Sequence, residues 1–287
     1  MRPALLLALV LPLSLTAQPA ADKKATIQFL VGLQQPDGGF VASPGDAKAK
    51  SSLRATSAAV RSIKYLGGEV PNLDKVRAFV ASCHDPESGA YADAPGGKGD
   101  VTLTAVGIMA AAELEKARNF GPSVAYLAKS AESFEQKRMA VAGMEAAGKF
   151  DPVIKTWFAE IREHKNPDGT YGTDEIKTRQ TGSVAAMFLR AGEKLPDDER
   201  KAVLTALQAG QRPDGAFAGA KGTDLETTYR VMRAFHLLKE KPKDVARLKE
   251  FIGKCRNADG GYGVAPGQPS TVGGTYYAAV VGKWLGE

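Results

Sequence analysis

The chain has 287 residues, with 38 Lys and Arg against 32 Asp and Glu, and a formal net charge of +6. That excess is spread thinly and forms no basic stripe interleaved with aromatics, which argues against a nucleic-acid partner. Neither of the two cysteines has a second ligand at metal spacing, and the length suits one large domain with a sizeable core.

Residues 1–17 read as a secretory signal: Arg2, an apolar run from Ala4 to Leu15, and a cleavage site at Leu15-Thr16-Ala17. The run is too short to span a bilayer, and no Cys follows the site to carry a lipid. The expectation is an exported protein (periplasmic or secreted) that is not an integral membrane protein, with a single domain over residues 22–287.

Along that domain a short turn recurs. It reads Gln35-Pro36-Asp37-Gly38-Gly39-Phe40, then Asp85-Pro86-Glu87-Ser88-Gly89-Ala90-Tyr91. It returns as Asn166-Pro167-Asp168-Gly169-Thr170-Tyr171, Arg212-Pro213-Asp214-Gly215-Ala216-Phe217 and Asn257-Ala258-Asp259-Gly260-Gly261-Tyr262. Pro and Asp start such a turn and Gly supplies the positive φ that closes it; the aromatic that follows reads as a plug folded back against neighbouring helices. Before each turn lies a helical pattern with a charged face, as in Val203, Leu204 and Leu207 or Val245, Leu248, Phe251 and Ile252. After it lies a more apolar, Ala-rich helix, as in Val101–Leu114 and Thr227–Leu238.

Aligning the second helices gives a column of Thr56, Thr104, Met139, Thr181, Thr228 and Thr275, spaced by 48, 35, 42, 47 and 47 residues. The column exposes a sixth unit around Glu132–Gly148 whose glycine turn has degenerated. Six helix pairs at this period build either an open solenoid or a closed ring. The second helices are apolar nearly all round, as helices buried on both sides are. They predict an all-α fold, an α/α toroid of six helical hairpins with an inner and an outer ring. Cys83 and Cys255 end first helices in units two and six, which are not ring neighbours, and read as two buried thiols.

This pattern resembles the repeats of protein prenyltransferase β subunits and squalene–hopene cyclases. Phe29-Leu30, Gln34, Gly38 and Phe40 follow the cyclase motif, with Phe in place of its Trp, and Gln211, Gly215 and Phe217 repeat its second half. The resemblance covers essentially the whole domain and implies an apolar central cavity, lined by the N-terminal ends of the inner helices, that holds an isoprenoid. It also implies zinc, on an Asp, a Cys and a distant His, yet those positions carry Glu226, Thr228 and Gly273-Gly274; no metal site is expected. The family's diphosphate-binding Arg and Lys match Ala220 and Thr223, with Lys221 one step off, while the Tyr after the Cys remains as Tyr229. In the cyclase Asp-x-Asp-Asp-Thr-Ala frame this chain has Asp100-Val101-Thr102-Leu103-Thr104-Ala105, so a Thr stands where the proton donor belongs.

Several polar residues fall near the inner N-terminal rim. Asp100 and Asp224 precede their Thr by four residues and read as N-caps. Arg54, Lys137 and Arg179 share one repeat position, two before the column residue, and three cations at one level of a ring could clamp an anionic headgroup. Tyr276 joins them as a ligand-binding candidate, and Glu226, Tyr229 and Asp100 are the weak catalytic candidates. Polysaccharide cleavage would need a paired acid and base, here Glu226 with Asp100 or Asp174, but aromatics at 7% are sparse for a sugar cleft. His84, His164 and His236 form no nucleophile–base–acid set; His236 reads as packed deep in an inner helix. Function is therefore open between a non-catalytic ligand-binding member, with an isoprenoid or anionic lipid in the cavity, an active transferase or cyclase with a rearranged site, and a scaffold whose ring is filled by side chains and whose rim binds a protein.

Overall fold

A computed structural model describes residues 20–45, 48–115, 118–173, 176–219 and 222–286. The expected signal segment, Asp174, Ala220 and Lys221 lie outside them. Twelve helices are described, in outer–inner pairs. The outer ones are α1 (Ala20–Val31), α3 (Leu73–Ser82), α5 (Gly121–Ser130), α7 (Ile154–Glu163), α9 (Asp197–Ala209) and α11 (Val245–Lys254). The inner ones are α2 (Leu53–Tyr65), α4 (Val101–Leu114), α6 (Phe134–Ala146), α8 (Lys177–Arg190), α10 (Leu225–Leu238) and α12 (Val272–Trp284). The only strands among the described residues are an antiparallel ribbon of two-residue strands, β1 (Ala218–Gly219) and β2 (Gly222–Thr223).

Each inner helix packs on the next, and α12 packs on α2, so the inner ring closes on itself. Closure of the outer ring uses α1. The Thr26 hydroxyl donates to the Gly260 carbonyl at 2.8 Å, and Arg256 pairs with Asp22 at 3.0 Å. The toroid predicted from the helix pattern is the fold observed.

The turns explain the Thr column. In five units the backbone N–H of the plug aromatic donates to the column hydroxyl: Phe40 to Thr56, Tyr91 to Thr104, Tyr171 to Thr181, Phe217 to Thr228 and Tyr262 to Thr275, all at 2.9–3.2 Å. These Thr are fully buried, so the pair satisfies a donor that water cannot reach. Turn Asp carboxylates accept the N–H two residues on, as in Asp37 with Gly39 and Asp214 with Ala216. The glycine has a second duty besides positive φ. At Gly215 (φ +92°) a Cβ would stand 2.2 Å from the Arg247 backbone, so the turn lies directly on the next outer helix. The third unit has no such turn. Its α6 begins on a capping box of Ser133 and Gln136, and Met139, with no turn N–H to accept, lines the central cavity.

Cys83 and Cys255 are free and buried at the C-termini of α3 and α11. No described helix is long and apolar enough to cross a membrane.

Candidate functional site

The inner ring encloses a cavity of about 610 Å³, within the size range of small-molecule sites. Its lining follows from helical periodicity, since residues i, i+4 and i+7 share a face. On α2 this stripe is Arg54, Ala58 and Arg61; on α6 it is Glu135, Arg138, Met139 and Ala142; on α10 it is Glu226, Tyr229 and Arg230. Thr102, Val106 and Met109 of α4, Tyr276 and Tyr277 of α12 and Arg190 of α8 line it too. The half-exposed side chains of Arg54 and Asp93 (52% and 41%) mark the mouth, whereas Arg190 (13%) lies within.

Charges at the mouth are paired. Arg54 faces Asp93 at 3.7 Å, Arg138 faces Glu135 at 2.9 Å, and Arg230 bridges Glu135 at 2.9 Å and Glu226 at 2.7 Å. Burial raises the Glu135 carboxyl, but Arg138 and Arg230 outweigh it and hold that group below its ordinary range. It is therefore an anion and a poor proton donor.

Of the predicted candidates, Arg54, Glu226, Tyr229 and Tyr276 meet at the cavity. The expected clamp of three rim cations does not form. Lys137 turns outward to an ion pair with Glu160 beyond the inner ring, because α6 presents Arg138 to the interior instead, and Arg179 is not among the lining residues, which on α8 begin one turn later at Ser183. Asp100 is the N-cap of α4, accepting from Leu103 N–H at 2.7 Å, and Asp224 caps α10 in the same way. His236 is not deep in its helix: it lies exposed in the last turn of α10, stacked on Trp284 at 5.1 Å.

A cluster that the rim-level reading missed lies deeper. Arg61 and Arg233 stand seven residues after Arg54 and Glu226, which is two turns, or about 10 Å, further along their helices. With Arg190 they line a second chamber of about 280 Å³, so the three arginines partition the interior of the ring. Arg233 Nη2 donates to Tyr229 Oη at 2.7 Å, and its guanidinium covers Trp284 at 4.5 Å. Tyr229 and Tyr276 share a hydrogen bond at 3.3 Å, and Arg61 covers the Tyr276 ring at 4.7 Å. Burial alone would raise the Tyr229 phenol; Arg233, Arg61 and Arg190 outweigh it and hold it below its ordinary value. The Tyr276 phenol is raised, by burial and then by Tyr229. The two hydroxyls share one hydrogen bond, and the Tyr229 oxygen also accepts from Arg233. The i+7 spacing of arginines below the rim was the signal available in sequence.

Neither family chemistry finds its groups. The Thr228 hydroxyl is buried and taken by Phe217 N–H, Glu226 is paired with Arg230, and Gly273 offers no side chain. These positions do not fit a zinc ion, and among the described residues no group of three His, Cys, Asp or Glu is placed to hold a metal. Thr102 does line the cavity at the frame position of the cyclase acid, but it presents a hydroxyl, which is far too weak an acid to protonate an alkene.

The sequence profile of the prenyltransferase alpha-alpha toroid domain matches residues 4–150 and again 138–286. No curated protein sequence matches the chain significantly. Among solved structures, the fold is similar to a variant of the type II terpene cyclase MstE from Scytonema in complex with geranylgeranyl dihydroxybenzoate, its substrate. That likeness has a TM-score of 0.64 at 13% identity, over 93% of this chain and 96% of that one. A second MstE variant, in complex with the product merosterolic acid A, gives 0.62 at 14% identity over 93% and 95%. The ent-copalyl diphosphate synthase from Streptomyces platensis gives 0.55 at 13% over 82% of this chain and 50% of that one. Its helices form a closed double ring and the profile spans almost the whole sequence: the chain belongs to the prenyltransferase α/α toroid family.

Proposed function

We propose that this protein is a divergent, exported member of the family that holds an apolar-tailed ligand, an isoprenoid or an anionic lipid, in the ring cavity without turning it over. The observation that carries the reading is the cavity of about 610 Å³, walled by Ala58, Val106, Met139 and Ala142 and closed at depth by arginines. A ring filled by its own side chains, as a pure scaffold requires, would leave no such space. The non-catalytic part rests on Thr102 at the acid position and on the carboxylates at the mouth being ion-paired. The MstE structures hold a geranylgeranyl substrate and its cyclised product in a similar fold, which makes a prenyl chain the first ligand to test.

Native mass spectrometry of the purified chain with geranylgeraniol should give a one-to-one adduct. Ala142→Trp, which fills the cavity, should abolish it while leaving the fold intact by circular dichroism. Turnover of a prenyl diphosphate would overturn the non-catalytic reading in favour of a rearranged site at Glu226 and Tyr229, and Glu226→Gln should then remove activity. Export is tested by the N-terminal sequence of the protein recovered outside the cytoplasm, expected to begin just after Ala17; an intact Met1 there would overturn the signal.

A further inference from the structure

Charge compensation along the cavity is uneven. At the mouth three cations, Arg54, Arg138 and Arg230, meet three carboxylates, Asp93, Glu135 and Glu226. Two turns deeper, Arg61, Arg190 and Arg233 meet one, Glu145, which is taken by Arg190. Glu113, on the far side of the arginine layer, is held by Lys64 at 3.7 Å. Arg61 meets no carboxylate: it contacts Met109 Sδ at 3.4 Å, the rings of Tyr276 and Tyr65, and the Tyr65 hydroxyl. Arg233 Nε is buried without a hydrogen-bond partner. Lys283, over the Tyr65 ring at 4.4 Å, adds a further positive charge nearby.

A buried cation is normally met by a carboxylate or another full hydrogen-bond complement, because desolvating it costs several kcal/mol. Aromatic faces, a thioether and neutral phenol hydroxyls, Tyr229 for Arg233 and Tyr65 for Arg61, repay only part of that. The excess of cations over carboxylates therefore sits at the bottom of the cavity and not at its rim, and Arg233 keeps a buried Nε without a partner.

We propose that this deep end is an anion site. A ligand enters head first, with one carboxylate or phosphate oxyanion received by Arg61 on the cavity wall and by Arg233 in the recess that adjoins it past Tyr229, and its apolar tail runs back along Ala58, Val106 and Met139 to the mouth. This rests on the reading of the ring as a ligand cavity and adds the polarity of the ligand and its orientation. Both oxyanions suit a guanidinium fork; a fatty or prenyl acid and a prenyl monophosphate are the two sources.

The test compares three probes on the full chain: geranylgeraniol, geranylgeranoic acid and geranylgeranyl monophosphate. At least one of the two anions should bind about tenfold or more tightly than the alcohol. Whichever anion is preferred identifies the source. Inorganic phosphate should compete with the anionic probe and leave the alcohol unaffected, a measurement that needs no variant. Arg61→Met and Arg233→Met should each remove the preference for the anion while the alcohol binds as before; Arg54→Met should leave the preference in place. Equal binding of alcohol and anions overturns the deep site and leaves the cavity reading standing. A preference lost with Arg54→Met and kept in the two deep variants moves the head to the mouth and overturns the orientation. Binding of none of the three probes overturns the cavity reading and this one with it.

Discussion

Arg233 Nη2 lies 2.7 Å from the phenolic oxygen of Tyr229, one helical turn earlier on α10. The contact ties a buried cation that has no carboxylate partner of its own to a phenol. Arg61 from α2, Arg190 from α8, and Tyr276, Tyr277 and Trp284 from α12 surround the same phenol. This arrangement gives the molecule its electrostatic signature.

Tyr229 should therefore titrate below its ordinary value near 10, with Tyr276 held above it. Between the lowered folded value and 10, the unfolded state binds more protons. This group's contribution to stability thus rises with pH through that window and is lost as pH falls through the folded value. Near-ultraviolet tyrosinate absorbance should show one early step, absent in Tyr229→Phe. A spectrum in which no tyrosine ionises early would show that the arginines do not act on Tyr229.

Gly215→Ala tests the turn. Its positive φ and the nearness of the Arg247 backbone leave no room for a Cβ without movement of α11. Strain at such positions is about 1–3 kcal/mol, before any shift of the helix. Chemical denaturation should show a loss of at least that size, whereas Gly253→Ala, with open space around it, should cost nothing and gain slightly from helix propensity.

Thr228→Val is nearly isosteric but removes the acceptor of Phe217 N–H. A buried donor left unpaired costs about 1–3 kcal/mol. Denaturation midpoints should fall accordingly, and zinc affinity should be unchanged. A variant with changed zinc binding would mean that this position keeps the family's metal role.

Burial pushes the Cys83 and Cys255 thiols up to about 12. Both should resist a thiol reagent at mildly alkaline pH until the protein is unfolded, then react together. Prompt reaction of either in the native protein would place it at the surface.

Much of the architecture was legible in the sequence. Turn chemistry is local: Asp caps its own turn, Gly supplies positive φ, and an aromatic follows at fixed offset, so Phe40, Tyr91, Tyr171, Phe217 and Tyr262 announced themselves. The same recurrence exposed the Thr column, and the Ala-rich inner helices pointed to a closed ring, although α2, α6, α8 and α10 turn arginines toward its axis. Asp100 and Asp224 were identifiable as caps because an N-cap depends only on the next three residues.

The site was legible only in part, since it depends on which face of each inner helix meets the axis. A shift of one residue is 100° of rotation on a helix; it sends Lys137 out to Glu160 and brings Arg138 in. Sequence alone determined the helix pairs, the turns and the Thr column, whose ties to the turns only the structure showed. Tertiary structure decided the cavity, the pairing of every charge at its mouth, and the convergence of Arg61, Arg190 and Arg233. Those three residues come from three different units, and only closure of the ring sets them around one axis.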